Sequence, residues 1–457
     1  MTELEALRRA AREIFDHVLK SVDARRAVLD AVELRGGRLR VAGEDFDLGE
    51  PPAAAVYCVA LGKAAGAMAS ALEERLGPRL GAGVLSGPVR DGRLSARWRV
   101  FAGGHPLPNE ASLASARAAF ELLREADARR ALVIFLVSGG GSAMMEWPGR
   151  DDLTLEDLRE ANRVLVSCGA TIAEVNAVRR ALSAVKGGGL AARAARASQL
   201  TLIVSDTGAG READVASGPT LEAADEISYG DVVSKYGLAG RLPRAVVRAL
   251  GESGGAGASG PDVRAVRRHR VLLDNAAARE AAADAARSRG FAVGVAGDIV
   301  EQRVEAGAAE SVSRLAALYR REGGQRVCLV SGGEFACPVR GHGVGGRNSE
   351  TALRVAFEFE KLLGGKIGND DGGQAGLQTP RAAVALCAGT DGVDGNSPAA
   401  GALADHTTLA RARARGLSPE RALADSDAHT FFDALGDALL TGPTGTNVRD
   451  VRVLLAG

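Results

Sequence analysis

Short apolar runs punctuate the chain, and most are followed closely by glycine. They cover Val56–Leu61, Arg99–Phe101, Leu132–Val137, Leu202–Val204, Phe291–Val295, Val327–Val330, Ala383–Cys387 and Val451–Leu455. Runs of this length, bounded by turn residues, read as buried strands. Between most of them lie Ala/Leu/Arg stretches of helical period, such as Ala111–Glu125 and Leu158–Val166. Strands alternating with helices imply crossover connections, a mainly parallel sheet and an α/β fold. In such sheets ligands gather at the carboxyl ends of the strands.

A chain of 457 residues exceeds what one hydrophobic core usually holds. The expected organisation is a larger N-terminal Rossmann-like, doubly wound domain over residues 1–240 and a smaller C-terminal α/β module over 325–457. A connecting α/β segment spans 241–324, and the last strand is free to return to the N-terminal domain. Gly251–Asp262 is a Gly/Ser-rich loop, and Gly364–Pro380 reads as a loop insertion. Gly251–Gly255 formally matches G-x-S-x-G, but a nucleophile elbow needs a strand before it and a helix after it. The segments LVSGGGS (136–142) and LVSGGEF (329–335) both set Ser-Gly-Gly behind a strand. An old duplication and two strands meeting one ligand fit that echo equally well.

Charge narrows the classes. Basic and acidic residues balance at 57 each, so nothing electrostatic calls for nucleic acid or an anionic membrane. No apolar run approaches the ~20 residues that span a bilayer. The N-terminal stretch is a charged amphipathic helix without the apolar centre of a signal peptide. Five scattered cysteines suit a reducing cytoplasm better than a disulfide framework. Only six of the 57 basic residues are lysine, which gives weight to Lys63 and Lys186, both beside glycines at element ends.

The candidate chemistry sits at strand ends. In VALGKAAGAM (59–68) a strand, a glycine turn and a helix start surround Lys63, where free amides and the helix dipole suit an anion. It is not a Walker A loop, because Ala64 follows the lysine. In VSGGGSAMM (137–145), Gly139, Gly140 and Gly141 let backbone amides approach a phosphate, with Ser138 and Ser142 as hydroxyl donors. In NAVRRALSAVKGGGL (176–190), Asn176, Arg179, Ser183 and Lys186 share one face of an expected helix. That face binds an anion or is simply solvated. Asp206 closes a strand in IVSDTGAGREADVASGPT (203–220), where it could ligate a hydrated Mg²⁺ or cap the next helix.

In the C-terminal module GHGVGGRNSE (341–350) follows a strand leading into Glu334 and offers Arg347 and Asn348 at a helix start. The arginine fork suits a phosphoryl group or a carboxylate. Gly341, Gly343 and Gly346 match G-x-G-x-x-G, but Glu358 and Glu360 fall in a helical pattern and not at a strand end, so the dinucleotide reading is weak. Asp391 and Asp394, in AGTDGVDGNSPAAGALAD (388–405), are paired carboxylates for Mg²⁺ or members of a turn.

These motifs, together with GGHPLPNEAS (103–112), ASGPT, SGGE (331–334) and TFFDALGDALLTGPTGTNVRDVRVLL, resemble the glycerate 2-kinase family. Members of that family have also carried the name hydroxypyruvate reductase, and their C-terminal module is called MOFRL. The likeness runs in order from about residue 59 to 455. It implies ATP- and Mg²⁺-dependent phosphorylation of D-glycerate at the 2-hydroxyl, in a cleft between two α/β domains. It implies Lys63 and Arg347 as the catalytic pair, with Asp206 beside them, and the Ser138–Ser142 loop as a phosphate holder. Asn176, Lys186, Glu334 and Asn348 would contact substrate, and Asp206, Asp391 and Asp394 the metal. The family's VRKHLS reads VRRALS here, with Ala181 at the histidine position, and its acidic stretch after the aspartate is thinned to TGAGREAD. Asp206 is then the surer carboxylate, ahead of Asp214. The expected partners are small molecules, and a homodimer is compatible with them. The rivals are an NAD(P)H-dependent hydroxypyruvate reductase and a non-catalytic small-ligand sensor.

Overall fold

The computed structural model describes residues 2–49, 55–88, 94–222, 227–252, 266–364 and 379–457. Most of the two expected glycine-rich loops, 251–262 and 364–380, lies outside them. The chain divides into two compact units, residues 24–273 and residues 1–23 with 274–457.

In the first unit a small antiparallel meander, β1 (Val32–Arg35), β2 (Arg38–Val41) and β3 (Glu44–Asp47), precedes a six-stranded sheet. The sheet strands are β4 (Val56–Leu61), β5 (Leu80–Ser86), β6 (Trp98–Phe101), β7 (Leu132–Ser138), β8 (Ser198–Val204) and β9 (Arg267–Leu273). Their order is β6-β5-β4-β7-β8-β9, and every pairing is parallel. That is the doubly wound order, which reverses direction between β4 and β7. The central strands β4 and β7 are buried at every position, as strands covered on both faces must be. The edge strand β9, RRHRVLL, is exposed along most of its length, and charge there discourages strand addition. Helix Glu110–Ala128 starts from an Asn109 capping box and buries Leu122 and Leu123 against Val133 and Phe135.

The second unit begins with helix Glu3–Ser21, whose buried face is Leu7, Ala11, Ile14, Phe15 and Val18. Its sheet contains β10 (Ala292–Ala296), β11 (Val327–Gly333), β12 (Ala383–Gly389), β13 (Gly401–Asp405), β14 (Ala438–Leu439) and β15 (Asp450–Ala456). The order is β10-β11-β15-β12-β13-β14. Only β10 and β11 are parallel; β15 runs antiparallel to both its neighbours. The expectation of mainly parallel pairing therefore holds in one sheet and fails in the other. Nor does the last strand return to the N-terminal domain: its pairing with β11 and β12 keeps it in the C-terminal sheet.

The units also cut the chain elsewhere than at 240 and 325. Pairing with β8 puts β9 in the first unit, whereas helix Asn275–Arg287 packs on β11 and on helix Glu3–Ser21. The segment 241–324 is thus shared between the units, and the first 23 residues join the C-terminal one. Among the described residues no helix is long and apolar enough to cross a membrane.

Arg8 fastens the N-terminal helix. It pairs with Asp405 and Asp437, whose side chains are almost wholly buried, and Arg411 joins both carboxylates at 3.2 and 2.7 Å. Burial pushes the Asp405 carboxyl up, but the Thr407 hydroxyl, Arg411 and Arg8 outweigh it and hold the group below its ordinary value. Its contribution to stability is therefore present above the unfolded-state pKa and is lost as pH falls through the lowered one. Arg8→Ala should cost about 3 kcal/mol in chemical denaturation, the usual effect of orphaning a buried charge. The variant should also begin to unfold at a higher pH on acid titration. A denaturation midpoint equal to the parent's would show that Arg411 alone suffices.

Candidate functional site

The reversal of strand order brings the β4 and β7 loops side by side, and backbone hydrogen bonds join them. Lys63 N donates to Gly139 O at 2.9 Å and Ala64 N to Ser138 Oγ at 3.0 Å, while Gly62 N ties the turn to Ser86 O at the end of β5 at 3.1 Å. Gly62 has φ +111°, and a Cβ there would lie 2.3 Å from Ser138 O, so only glycine permits the approach. Lys63 lies two residues ahead of helix Ala65–Leu76 and is half-buried. A Cβ on Gly140 would meet Lys63 Cγ at 3.2 Å and His105 Cδ2 at 3.1 Å. The lysine stem and the GGHP loop after β6 thus flank the triple glycine.

The two serines of the SGGGS loop differ. Ser138 is fully buried; its hydroxyl accepts from Ala64 N and donates to Leu61 O at 3.4 Å. It holds the loop together and does not face a ligand, contrary to the expected phosphate contact. The amides of Gly139 and Gly140 have no acceptor among the described residues, which suits them to an anion. Ser142 Oγ lies 2.8 Å from Ser217 Oγ. Ser217 donates to Asn176 Oδ1 at 2.8 Å, Asn176 Nδ2 donates to Asp214 Oδ1 at 3.0 Å, and Arg211 clamps Asp214 at 2.9 and 2.7 Å.

From the sequence Ser217 reads only as the start of a rigid polar turn, Ser217-Gly218-Pro219-Thr220, and not as a site residue. Ala216 and Ser217 have φ of +52° and +61°, a left-handed conformation that costs non-glycine residues energy and clusters at functional loops. Ala216 meets the loop directly: a Cβ on Gly141 would lie 2.9 Å from the Ala216 Cβ. The expected helical stripe from Asn176 to Lys186 is a different structure. The helix ends at Ala181, and Ser183 bridges to Pro148. Lys186 turns into the interior, where it pairs with Glu146. Burial pushes the Lys186 ammonium below its ordinary value, with Glu146 opposing. Asn176 and Lys186 are 1% and 4% exposed, so neither belongs to a solvated face. Asp206 is half-buried, two residues beyond the end of β8.

In the C-terminal unit Arg347 opens helix Arg347–Gly364. Its Nε donates to Asp450 Oδ2 at 2.5 Å, and its Nη2 to Asp450 Oδ1 at 3.0 Å and Glu334 Oε1 at 2.7 Å. Burial alone would lower the guanidinium pKa, but Asp450 and Glu334 overcome it and raise it. Asn348 Nδ2 donates to Asp450 at 3.0 Å. Asp450, a residue sequence reasoning passed over, is the hub of this group; its place in front of an apolar run resembles a turn aspartate.

Asp394 does not serve as expected. Its oxygens accept from the amides of Asn348 and Ser349 at 2.9 and 2.8 Å and from the Ser349 hydroxyl at 2.7 Å. It is 1% exposed, and burial pushes its carboxyl up against those hydrogen bonds. Asp394 therefore caps the helix and does not fit a Mg²⁺ ion. Asp391 is half-buried and accepts from Val393 N at 3.1 Å. Among the described residues no three His, Cys, Asp or Glu side chains form a metal cage. A metal carried on phosphates needs only one or two carboxylates from the protein.

Comparison with known proteins finds two family models along the chain, with bounds that differ from those of the two units. A model described as a domain of unknown function (DUF4147) matches residues 10–251, and the MOFRL family model matches residues 327–450. The D-glycerate 2-kinase of Thermotoga maritima is 31% identical over 87% of this chain and 89% of its own length. An Agrobacterium vitis relative carrying a hydroxypyruvate reductase name is 36% identical over 88% of this chain and 99% of its own. The crystal structure of a Thermotoga maritima glycerate kinase superposes with a TM-score of 0.76 at 29% identity, covering 99% of this chain and 100% of that one. The chain belongs to the glycerate 2-kinase family.

The two names that this glycerate 2-kinase family carries make different demands on the glycine-rich loop before Arg347. In dinucleotide enzymes the pyrophosphate sits at the N-terminus of the helix that follows G-x-G-x-x-G. Here the Asp394 carboxylate occupies the first amides of that helix, and a second anion there would meet it. The first-strand turn, Gly62-Lys63-Ala64-Ala65-Gly66, lacks the fingerprint as well. Asp394→Ala should lower stability by about 1–2 kcal/mol, as loss of a helix N-cap does, read as a lowered denaturant midpoint at unchanged slope. A midpoint matching the parent's would mean that water replaces the cap without loss.

Proposed function

We propose that this protein transfers the γ-phosphoryl group of ATP to the 2-hydroxyl of D-glycerate. The observation that carries the reading is the Lys63 turn at the strand-order reversal, packed on Gly140 with the Gly139 and Gly140 amides beside it. The printed names of family relatives support the same substrate.

Phosphoryl transfer through a loose transition state asks for alignment and for charges aimed at the equatorial oxygens, with little covalent chemistry from the protein. In the first unit Lys63 is the cation assigned to that group, a point charge, and the cation the C-terminal unit offers to an anion is the planar fork of Arg347. Asp450 and Glu334 keep the fork aimed and ionised. Ser142, backed by Ser217 and Asn176, is assigned to the hydroxy acid together with the Gly139–Gly141 amides. Mg²⁺ on the ATP phosphates would supply charge neutralisation, with Asp206 as the carboxylate to hold it. Asp206 also suits the hydroxyl proton released on transfer.

With D-glycerate and ATP, phosphorus NMR should show 2-phosphoglycerate and ADP. Oxidation of NADH by hydroxypyruvate without ATP consumption would instead establish the reductase. Lys63→Ala should lower kcat by about 10²–10³, the range for losing a preorganised charge, with an unchanged circular dichroism spectrum. Asp450→Asn should lower kcat while leaving the KM for D-glycerate within about twofold, as expected for a group acting only in the transition state. Turnover near normal in both variants would sink the assignment of Lys63 and Arg347.

A further inference from the structure

The C-terminal unit contains a cavity of about 470 Å³ lined by Phe335, Pro338, Val339, Ala428, Asn396 and Arg347, with the 343–346 loop as one wall. That volume is in the range of small-molecule sites. The glycine-rich wall looks from its sequence like a phosphate cradle, but its amides are already used. His342 N donates to Asp425 Oδ1 at 3.2 Å, Val344 N to Asp427 Oδ1 at 2.9 Å and Gly345 N to Asn396 Oδ1 at 2.8 Å. Gly343 N donates to Asp425 O at 2.9 Å and Gly346 N to Ser349 Oγ at 3.1 Å. The glycines are required on the side away from the cavity: a Cβ at 343 would lie 2.4 Å from the Asp427 Cβ, and one at 346 would lie 2.4 Å from Asp394 Oδ1. The glycine loop thus brings no spare amide donors to a lining whose apolar members are Phe335, Pro338, Val339 and Ala428, with Cys337, Asn396 and Ser426 also present.

Among the described lining residues the one cation is Arg347, whose Nε and Nη2 are held by Asp450 and Glu334 so that Nη1 is the donor left for an anion. The one acid, Glu350, is neutralised by Arg340 and Arg354 at 2.8 and 2.7 Å. Val339 at the mouth is 83% exposed, more than any other large apolar side chain in the described structure. The body of the cavity therefore suits a planar, largely apolar group, and its Arg347 end suits an anion. A hydroxy acid is too small and too polar for such walls; a nucleoside with its phosphates directed at Arg347 matches both halves.

We infer that this cavity holds the nucleoside of ATP, which places the triphosphate against Arg347. The inference rests on the kinase reading for its choice of nucleotide. The experiment is photolabelling of the full chain with 8-azido-ATP, followed by peptide mapping, alongside steady-state kinetics of Val339→Asp. An adduct within residues 335–346, suppressed by ADP, is expected. The exposed substitution should leave the melting temperature unchanged and raise the KM for ATP at least about tenfold by setting a charge against the base, with the KM for D-glycerate within about twofold. Adducts confined to residues 24–273, or a variant that raises only the D-glycerate KM, would overturn the inference while leaving the kinase reading intact. ADP-suppressible labelling at 335–346 in a chain that fails to phosphorylate D-glycerate would do the reverse.

Discussion

The candidate site of the C-terminal unit depends on one buried carboxylate. Asp450 is 1% exposed, and an ionised carboxylate so placed is tolerable only when paired and hydrogen-bonded. Arg347 and Asn348 meet its oxygens, while its backbone carbonyl accepts from Asn275 Nδ2 at 3.0 Å. Asn275 in turn accepts from Gly333 N at 2.9 Å. Through these bonds one residue joins the last strand, the end of β11 and the first turns of two helices. The benefit is mutual: the same carboxylate keeps the guanidinium charged in a site where burial works against it.

Topology decides why that residue is available. Because β15 runs antiparallel between β11 and β12, it begins where they end, with Asp450 opposite both Gly333 and Gly389. A parallel strand in the same slot would carry its first residue to the far edge, away from Glu334 and Arg347. The other unit gathers its chemistry by a different geometry. There every strand of the six-stranded sheet is parallel, and the change of winding direction between β4 and β7 opens room for the Lys63 and Gly139–Ser142 loops. Both solutions set polar loops at the carboxyl edge of a sheet whose interior is mostly apolar, with Arg452, Gln199 and Thr201 as hydrogen-bonded exceptions.

Much of this was legible in the sequence, and the failures have physical causes. Strands β4, β7 and β12 are near-continuous apolar runs because they are buried on both faces, and β15 is equally buried but carries Arg452 within it. The start of β8 was hidden by Gln199 and Thr201, buried polar residues whose hydrogen bonds go to Ala191, Ala194 and Thr220. The glycine-containing β5 was missed because Gly83 makes room for the Trp98 ring, 2.3 Å from where its Cβ would be. Edge strand β9 carries three arginines and a histidine and resembles a surface loop. Lys63 in one unit and Arg347, Asn348 and Glu334 in the other stood out in the sequence because glycine and charge meet there at strand ends. The contacts of Glu146, Ser217 and Asp450 did not, since each is defined by a partner far away in sequence.

The two glycine-rich loops sharpen that lesson. Read by composition, Gly139–Gly141 and Gly341–Gly346 offer the same thing, backbone amides without side chains in the way. In the first, the Gly139 and Gly140 amides are left without protein acceptors. In the second, Asp425, Asp427, Asn396 and Ser349 take up the amides from His342 to Gly346, and Asp394 takes the first amides of the helix beyond. Glycine is needed there for contact with those acids, not with a ligand. An anion approaching that loop would find no free donors and a carboxylate at the helix end, so the positive charge that remains for it is the Arg347 side chain. The motif's chemistry is thus set by residues from 394 to 427, and a local pattern match cannot distinguish a phosphate cradle from a loop already held by acids of its own chain.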